Sequence, residues 1–103
     1  MIKTFGPNNL TPSKLCFGTM QFGDGASAKD SEEMYLKCRE NEVNFFDTAY
    51  VYTKGLSEKI LGKLIKEERE KLLIVTKAGS QGGADPDNLR NQLEESLKRL
   101  DQD

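Results

Sequence analysis

Three residues of this sequence, Asp47, Tyr52 and Lys77, have the types and spacing to do chemistry together. Asp47 closes the apolar run 43–46, and Thr76-Lys77 closes the apolar run 72–75. If both runs are adjacent strands of a parallel sheet, a carboxylate and an ammonium stand side by side at the strand ends where such sheets bind ligands. Tyr52, in the loop between them, can reach both. A phenol that gives up a proton, a cation beside it and a carboxylate that holds the cation would make an acid/base set. The same spacing also describes a rim salt bridge next to a packed tyrosine, and spacing alone leaves both open. The chain has no histidine, so the commonest general base and the commonest metal ligand are missing, and no metal site is expected. Cys16 and Cys38 form no C-x-x-C pair. Both are expected in the core as small reduced residues.

Three repeats of strand, loop and helix would position these groups. Ile2, Phe5 and Leu10 flank Gly6-Pro7-Asn8-Asn9, which reads as a short hairpin. The run 14–18 follows as a buried strand, then a glycine-rich loop over 19–29. Asp30, with Glu33 three residues on, has capping-box spacing for a helix that puts Met34 and Cys38 on one face. The second repeat has a strand over 43–46, a loop over 47–56 and a helix capped by Ser57 with Ile60, Leu61, Leu64 and Ile65 on one side. The third has a strand over 72–75, a flexible loop over 79–84, and a helix opened by Asp85-Pro86 with Leu89, Leu93, Leu97 and Leu100 at helical spacing. Arg90/Glu94, Glu94/Lys98 and Glu95/Arg99 would be charge pairs on its outer face. Strands alternating with amphipathic helices predict an α/β fold with a parallel sheet and right-handed crossovers.

The composition fits a globular chain. Of 103 residues, 36% are hydrophobic and 31% charged, with a formal net charge of −2. The basic residues are interspersed with acidic ones and make no stripe for a phosphate backbone, so no nucleic-acid partner is expected. No apolar run approaches the ~20 residues of a membrane helix, and the N-terminal stretch lacks a signal's apolar segment. A cytoplasmic protein without a membrane partner is therefore expected.

The segment Asn44-Phe45-Phe46-Asp47-Thr48-Ala49-Tyr50-Val51-Tyr52, followed by Gly55, Ser57-Glu58 and Leu61-Gly62, resembles the signature of the aldo-keto reductases. Gly18-Thr19-Met20 is similar to that family's first strand end, and Val75-Thr76-Lys77 to the strand that carries its catalytic lysine. The resemblance covers essentially the whole chain, residues 1–103, as a partial domain: an N-terminal hairpin that plugs the barrel bottom plus three βα units of a (β/α)8 TIM barrel. It implies NADPH-dependent reduction of an aldehyde or ketone to an alcohol. Tyr52 would then be the general acid; a free phenol has a pKa near 10 and needs an adjacent cation, here Lys77, to shed its proton at neutral pH. Asp47 would hold Lys77 and lie near the nicotinamide ribose, while Gly18, Thr19 and Met20 would line the nicotinamide end.

Two family features have no counterpart here. The histidine at the end of the family's fourth strand would lie beyond Leu100, where the sequence stops short of that strand, and most cofactor contacts, including those to the 2′-phosphate, would lie further on. The chain by itself is therefore expected to be inactive and to self-associate through open sheet edges and unpartnered apolar faces. Glu42 stands where the family has glycine, and Asn41 is expected to supply the left-handed turn instead. A competing motif, Gly23-x-Gly25-x-x-Ala28 with Asp47 about 20 residues on, matches a dinucleotide fingerprint. Against it, Thr19 to Phe22 intervene after the strand and the helix is expected to start only at Asp30. A non-catalytic binding or regulatory module, the role of channel-subunit relatives in this family, is the remaining alternative.

Overall fold

The computed structural model describes residues 3–102. Three two- or three-residue strands, β1 (Phe17–Gly18), β2 (Phe45–Asp47) and β3 (Leu73–Val75), alternate with helices α1 (Ala28–Glu40), α2 (Leu56–Ile65) and α3 (Pro86–Leu100). The sheet is parallel, in the order β1-β2-β3, as the alternation predicts. Its register places Phe17, Phe46 and Ile74 side by side, and Gly18, Asp47 and Val75 one residue on. Side chains alternate across a strand, so the first row joins the core with Tyr35, Leu61, Ile65, Leu72 and Leu100. The second row lies on the opposite face, where Val75 is 40% exposed.

The hairpin forms through paired backbone bonds between Phe5 and Leu10, both 2.9 Å; Ile2 lies outside the described residues. Asn8 donates to the Glu70 carbonyl, and Asn44 bonds Ser13 and Thr11, so this segment is tied to the starts of the strands, away from their carboxyl ends.

Several local expectations are corrected. Ser27, not Asp30, caps α1: its hydroxyl accepts from the Asp30 amide. α2 opens at Leu56 with Gly55 as its cap residue, and Ser57 is buried inside the helix. Its cap function passes to Thr53, whose hydroxyl accepts the Ser57 amide at 2.8 Å. Glu42 itself takes the left-handed conformation with φ 62°, while Asn41 stays at φ −100°. Cys16 is exposed and Cys38 only half-buried; both are free.

Asp85 caps α3 and Pro86 is its first residue, as the dipeptide predicts, but the leucine stripe does not define its buried face. Gln92, Ser96 and Leu100 are buried, and Leu93 is 51% exposed. α3 lies so close to α2 that a Cβ on Gly62 would sit 2.8 Å from the Arg99 and Leu100 backbone, which favours a short Ser96 over a leucine at the contact. The buried Gln92 accepts from the Gly79 amide and donates to the Gln81 carbonyl, while Asn88 donates to Gly83. The loop expected to be flexible is thereby pinned to its own helix. Of the pairs expected on the outer face, Glu95–Arg99 forms at 3.7 Å but with Arg99 turned inward, and Arg90 turns to Asp87.

The charged stretch Lys66–Lys71 is a 3-10 segment with two anchored members. Glu68 accepts from Tyr35 and Arg39, and Arg69 bonds Gln102 and the Leu72 carbonyl. The hydrogen bond from Arg39 holds the Glu68 carboxyl below its usual range despite partial burial.

Candidate active site

The backbone ladder continues beyond the strands and carries the candidate residues to one rim. The Thr19 amide donates to the Asp47 carbonyl, the Thr48 amide to Val75 and the Tyr50 amide to Lys77, at 2.8–3.0 Å. After Tyr50 the chain turns sharply through Tyr52–Gly55. Thr53 and Lys54 both adopt left-handed φ, 49° and 55°, and Gly55 follows at 97°. A β-branched residue rarely enters that region, and each such residue costs on the order of 1 kcal/mol or more. The Thr53 hydroxyl lies 2.8 Å from the Phe22 carbonyl as well as from the Ser57 amide, which offsets part of that strain.

This turn brings Tyr52 back over the rim. The Lys77 ammonium donates to the Asp47 carboxylate, with Oδ1 at 2.8 Å and Oδ2 at 3.0 Å, to the Thr48 carbonyl at 2.9 Å and to the Tyr52 hydroxyl at 3.0 Å. It also lies 4.7 Å from the centre of the Tyr52 ring. Partial burial, the largest single influence, pulls the Lys77 pKa down, but hydrogen bonds to Asp47 and Tyr52 and the Asp47 charge together hold it above the ordinary lysine value. Lys77 is therefore a cation throughout the neutral range. The side chains of Lys77 and Asp47 remain 48% and 29% exposed, so a ligand can reach the group.

Gly18 pairs with Asp47 and Thr19 bonds its carbonyl, with Met20 next in the chain, but the three are not alike. A Cβ on Gly18 would meet nothing within 4 Å, and Met20 is 58% exposed. Thr19 is fully buried. Its hydroxyl lies 2.8 Å from that of Ser57, which in turn bonds Thr48 at 2.8 Å and the Thr19 carbonyl at 2.7 Å. The Thr19 side chain thus locks β1 and β2 to α2 and does not line the open rim.

A second polar group lies beneath the first. Glu58 is 0% exposed; one carboxylate oxygen accepts from the Thr76 hydroxyl at 2.6 Å and the other from Arg99 at 3.0 Å. Arg99 also donates to the Tyr50 carbonyl at 2.8 Å and lies over the Tyr50 ring at 4.3 Å. Tyr50 is thereby packed under the rim, and Phe22 belongs to the core. The one available signal was the series Gln92, Ser96 and Arg99, a polar stripe at helical spacing beside Leu100.

The competing glycine motif fares better at one position and worse at the others. α1 starts at Ala28, so the third position does open a helix. Thr19 to Phe22 still separate it from β1, and the amides of Gly23, Asp24 and Ala26 are bonded within the loop. Those amides are not free to cradle a pyrophosphate, as the fingerprint requires.

Comparison with known proteins agrees with this fold. The sequence model of the Aldo/keto reductase family matches residues 14–103. The chain is 38% identical, over 98% of its length, to a "Probable voltage-gated potassium channel subunit beta" of Arabidopsis thaliana, and 34% identical, over 95%, to the "Uncharacterized oxidoreductase YrpG" of Bacillus subtilis. It covers 34% and 36% of those two proteins, about a third of their length. Among solved structures, the holo form of the aldo-keto reductase AKR11C1 from Bacillus halodurans superposes with a TM-score of 0.80 at 29% identity, covering all of this chain and 38% of that one.

Proposed function

This chain belongs to the aldo/keto reductase family, and from that premise we propose that the protein containing it reduces an aldehyde or ketone to an alcohol with NADPH, using Tyr52 as the proton donor. The observation that supports this most is the single ammonium of Lys77 held between the Asp47 carboxylate and the Tyr52 hydroxyl. Tyr52 gives its proton to the carbonyl oxygen as that oxygen gains charge. Lys77, a permanent cation here, stabilises the phenolate left behind, and Asp47 keeps the ammonium aimed at the hydroxyl and offsets its charge. The bound nicotinamide would supply the hydride to the carbonyl carbon. The rim suits that group: open space over Gly18, the exposed Met20 and a half-buried Asp47 carboxylate able to accept from a sugar hydroxyl lie together. NADPH rather than NADH is the assignment that family resemblance favours. The test is oxidation of each cofactor by a panel of aromatic aldehydes in the full-length protein. Turnover with NADPH is expected; no turnover with either cofactor would remove the enzymatic reading.

The name of the Arabidopsis relative, a probable channel subunit, supports a second reading of the protein as a non-catalytic binding or regulatory module. NADPH binding with no turnover of any carbonyl would select it. Cys16 and Cys38 are both free, which suits a reducing, cytoplasmic location. No helix among the described residues is long and apolar enough to cross a membrane.

The 103-residue chain alone is expected to be inactive and to self-associate. Leu15, Val75 and Leu93 are 71%, 40% and 51% exposed, and among the described residues β1 and β3 each have one unpaired edge. In light scattering it should run larger than a monomer; a monodisperse monomer that turns over an aldehyde would contradict both expectations.

A further inference from the structure

We propose that Arg99, acting through Glu58, is a positioning residue that holds Tyr52 and Lys77 in contact, an inference that rests on the proposed acid role of Tyr52. One guanidinium nitrogen bonds both ends of the candidate site: the Tyr50 carbonyl, two residues before Tyr52, at 2.8 Å, and Glu58, at 3.0 Å. The other Glu58 oxygen takes the hydroxyl of Thr76, the residue before Lys77. The two catalytic candidates are thus braced from below by one charge pair. The same guanidinium fills the space under the strained turn, since a Cβ on Gly55 would lie 2.7 Å from its central carbon. Arg99 therefore bonds the chain just ahead of the left-handed residues Thr53 and Lys54 and packs against the glycine at their exit. A buried ion pair is poor value for stability compared with apolar packing and is best attested where it fixes one geometry. Glu58 is fully buried and the Arg99 side chain is 12% exposed, so the structure carries that cost directly beneath the residues whose separation matters.

The experiment uses the full-length protein with Arg99→Lys, Arg99→Met, the double variant Glu58→Gln/Arg99→Met and Tyr52→Phe. The double variant leaves no lone buried charge and guards against simple unfolding of Arg99→Met. Arg99→Lys keeps the positive charge on a side chain one bond shorter and without the planar face over Tyr50, so it should recover only part of the rate. Arg99→Met and the double variant should lose about 100-fold in kcat, the order expected for a displacement of about 1 Å, with the KM for the carbonyl substrate little changed. Crystal structures of the double variant should show Tyr52 and Lys77 beyond hydrogen-bond distance. If that contact stays intact, or kcat per folded molecule is unchanged, Arg99 only stabilises the fold and the proposal is overturned. Tyr52→Phe separates the two claims: a wild-type rate there removes the acid role, while the crystallographic distance still decides the positioning.

Discussion

Tyr52→Phe in the full-length protein should lower kcat for carbonyl reduction by about 10²- to 10⁴-fold, the range that a positioned general acid contributes. The substitution removes one oxygen and little else. The ring and its 4.7 Å approach to the Lys77 ammonium are kept, and Lys77 retains Asp47 and the Thr48 carbonyl as acceptors. Thermal stability and NADPH affinity should therefore stay close to wild type. The loss should appear in kcat, because the proton is needed only as charge develops on the substrate oxygen. NADPH absorbance at saturating substrate measures it. Equal rates in wild type and variant would end the acid role and leave the rim as a salt bridge beside a tyrosine.

Glu58→Ala should destabilise the protein by about 3–5 kcal/mol, as breaking one side of a buried ion pair does. The alanine leaves the Arg99 guanidinium, 12% exposed, with the Tyr50 carbonyl and the longer 3.7 Å pair to Glu95, and deprives the Thr76 hydroxyl of its acceptor. It also opens a void where a fully buried side chain stood. Glu58→Gln keeps one carbonyl acceptor and most of the volume, so its loss should be the smaller of the two. Urea unfolding followed by circular dichroism gives both values. A loss below about 1 kcal/mol for Glu58→Ala, the level of an exposed pair, would mean that water reaches this group and that its burial is not maintained in solution.

Apolar runs alternating with amphipathic stretches were enough, from the sequence by itself, to determine the element order, the parallel sheet and the strand ends at Asp47 and Val75, because strand and helix periodicities are local properties of the chain. The cap at Asp85-Pro86 was legible for the same reason. So was the gathering of Asp47, Tyr52 and Lys77 on one rim, since parallel strands all point their carboxyl ends the same way. Helix starts were less legible. Ser27 competes with Asp30, and Thr53 takes the cap from Ser57, because which hydroxyl caps a helix depends on the turn leading into it. Only the tertiary structure decided which side chains face α2. α3 meets Gly62 at the Arg99 and Leu100 backbone, Gln92 turns to the loop at Gly79 and Gln81, Ser96 is buried and Leu93 is left outside, against the leucine stripe. It also decided that Thr19 is buried, that Cys16 is not, and that Arg99 reaches Tyr50 across 49 positions of sequence. A pair so distant leaves no periodic trace in the chain. The Arg99 guanidinium finds the Tyr50 carbonyl only once the helices have packed.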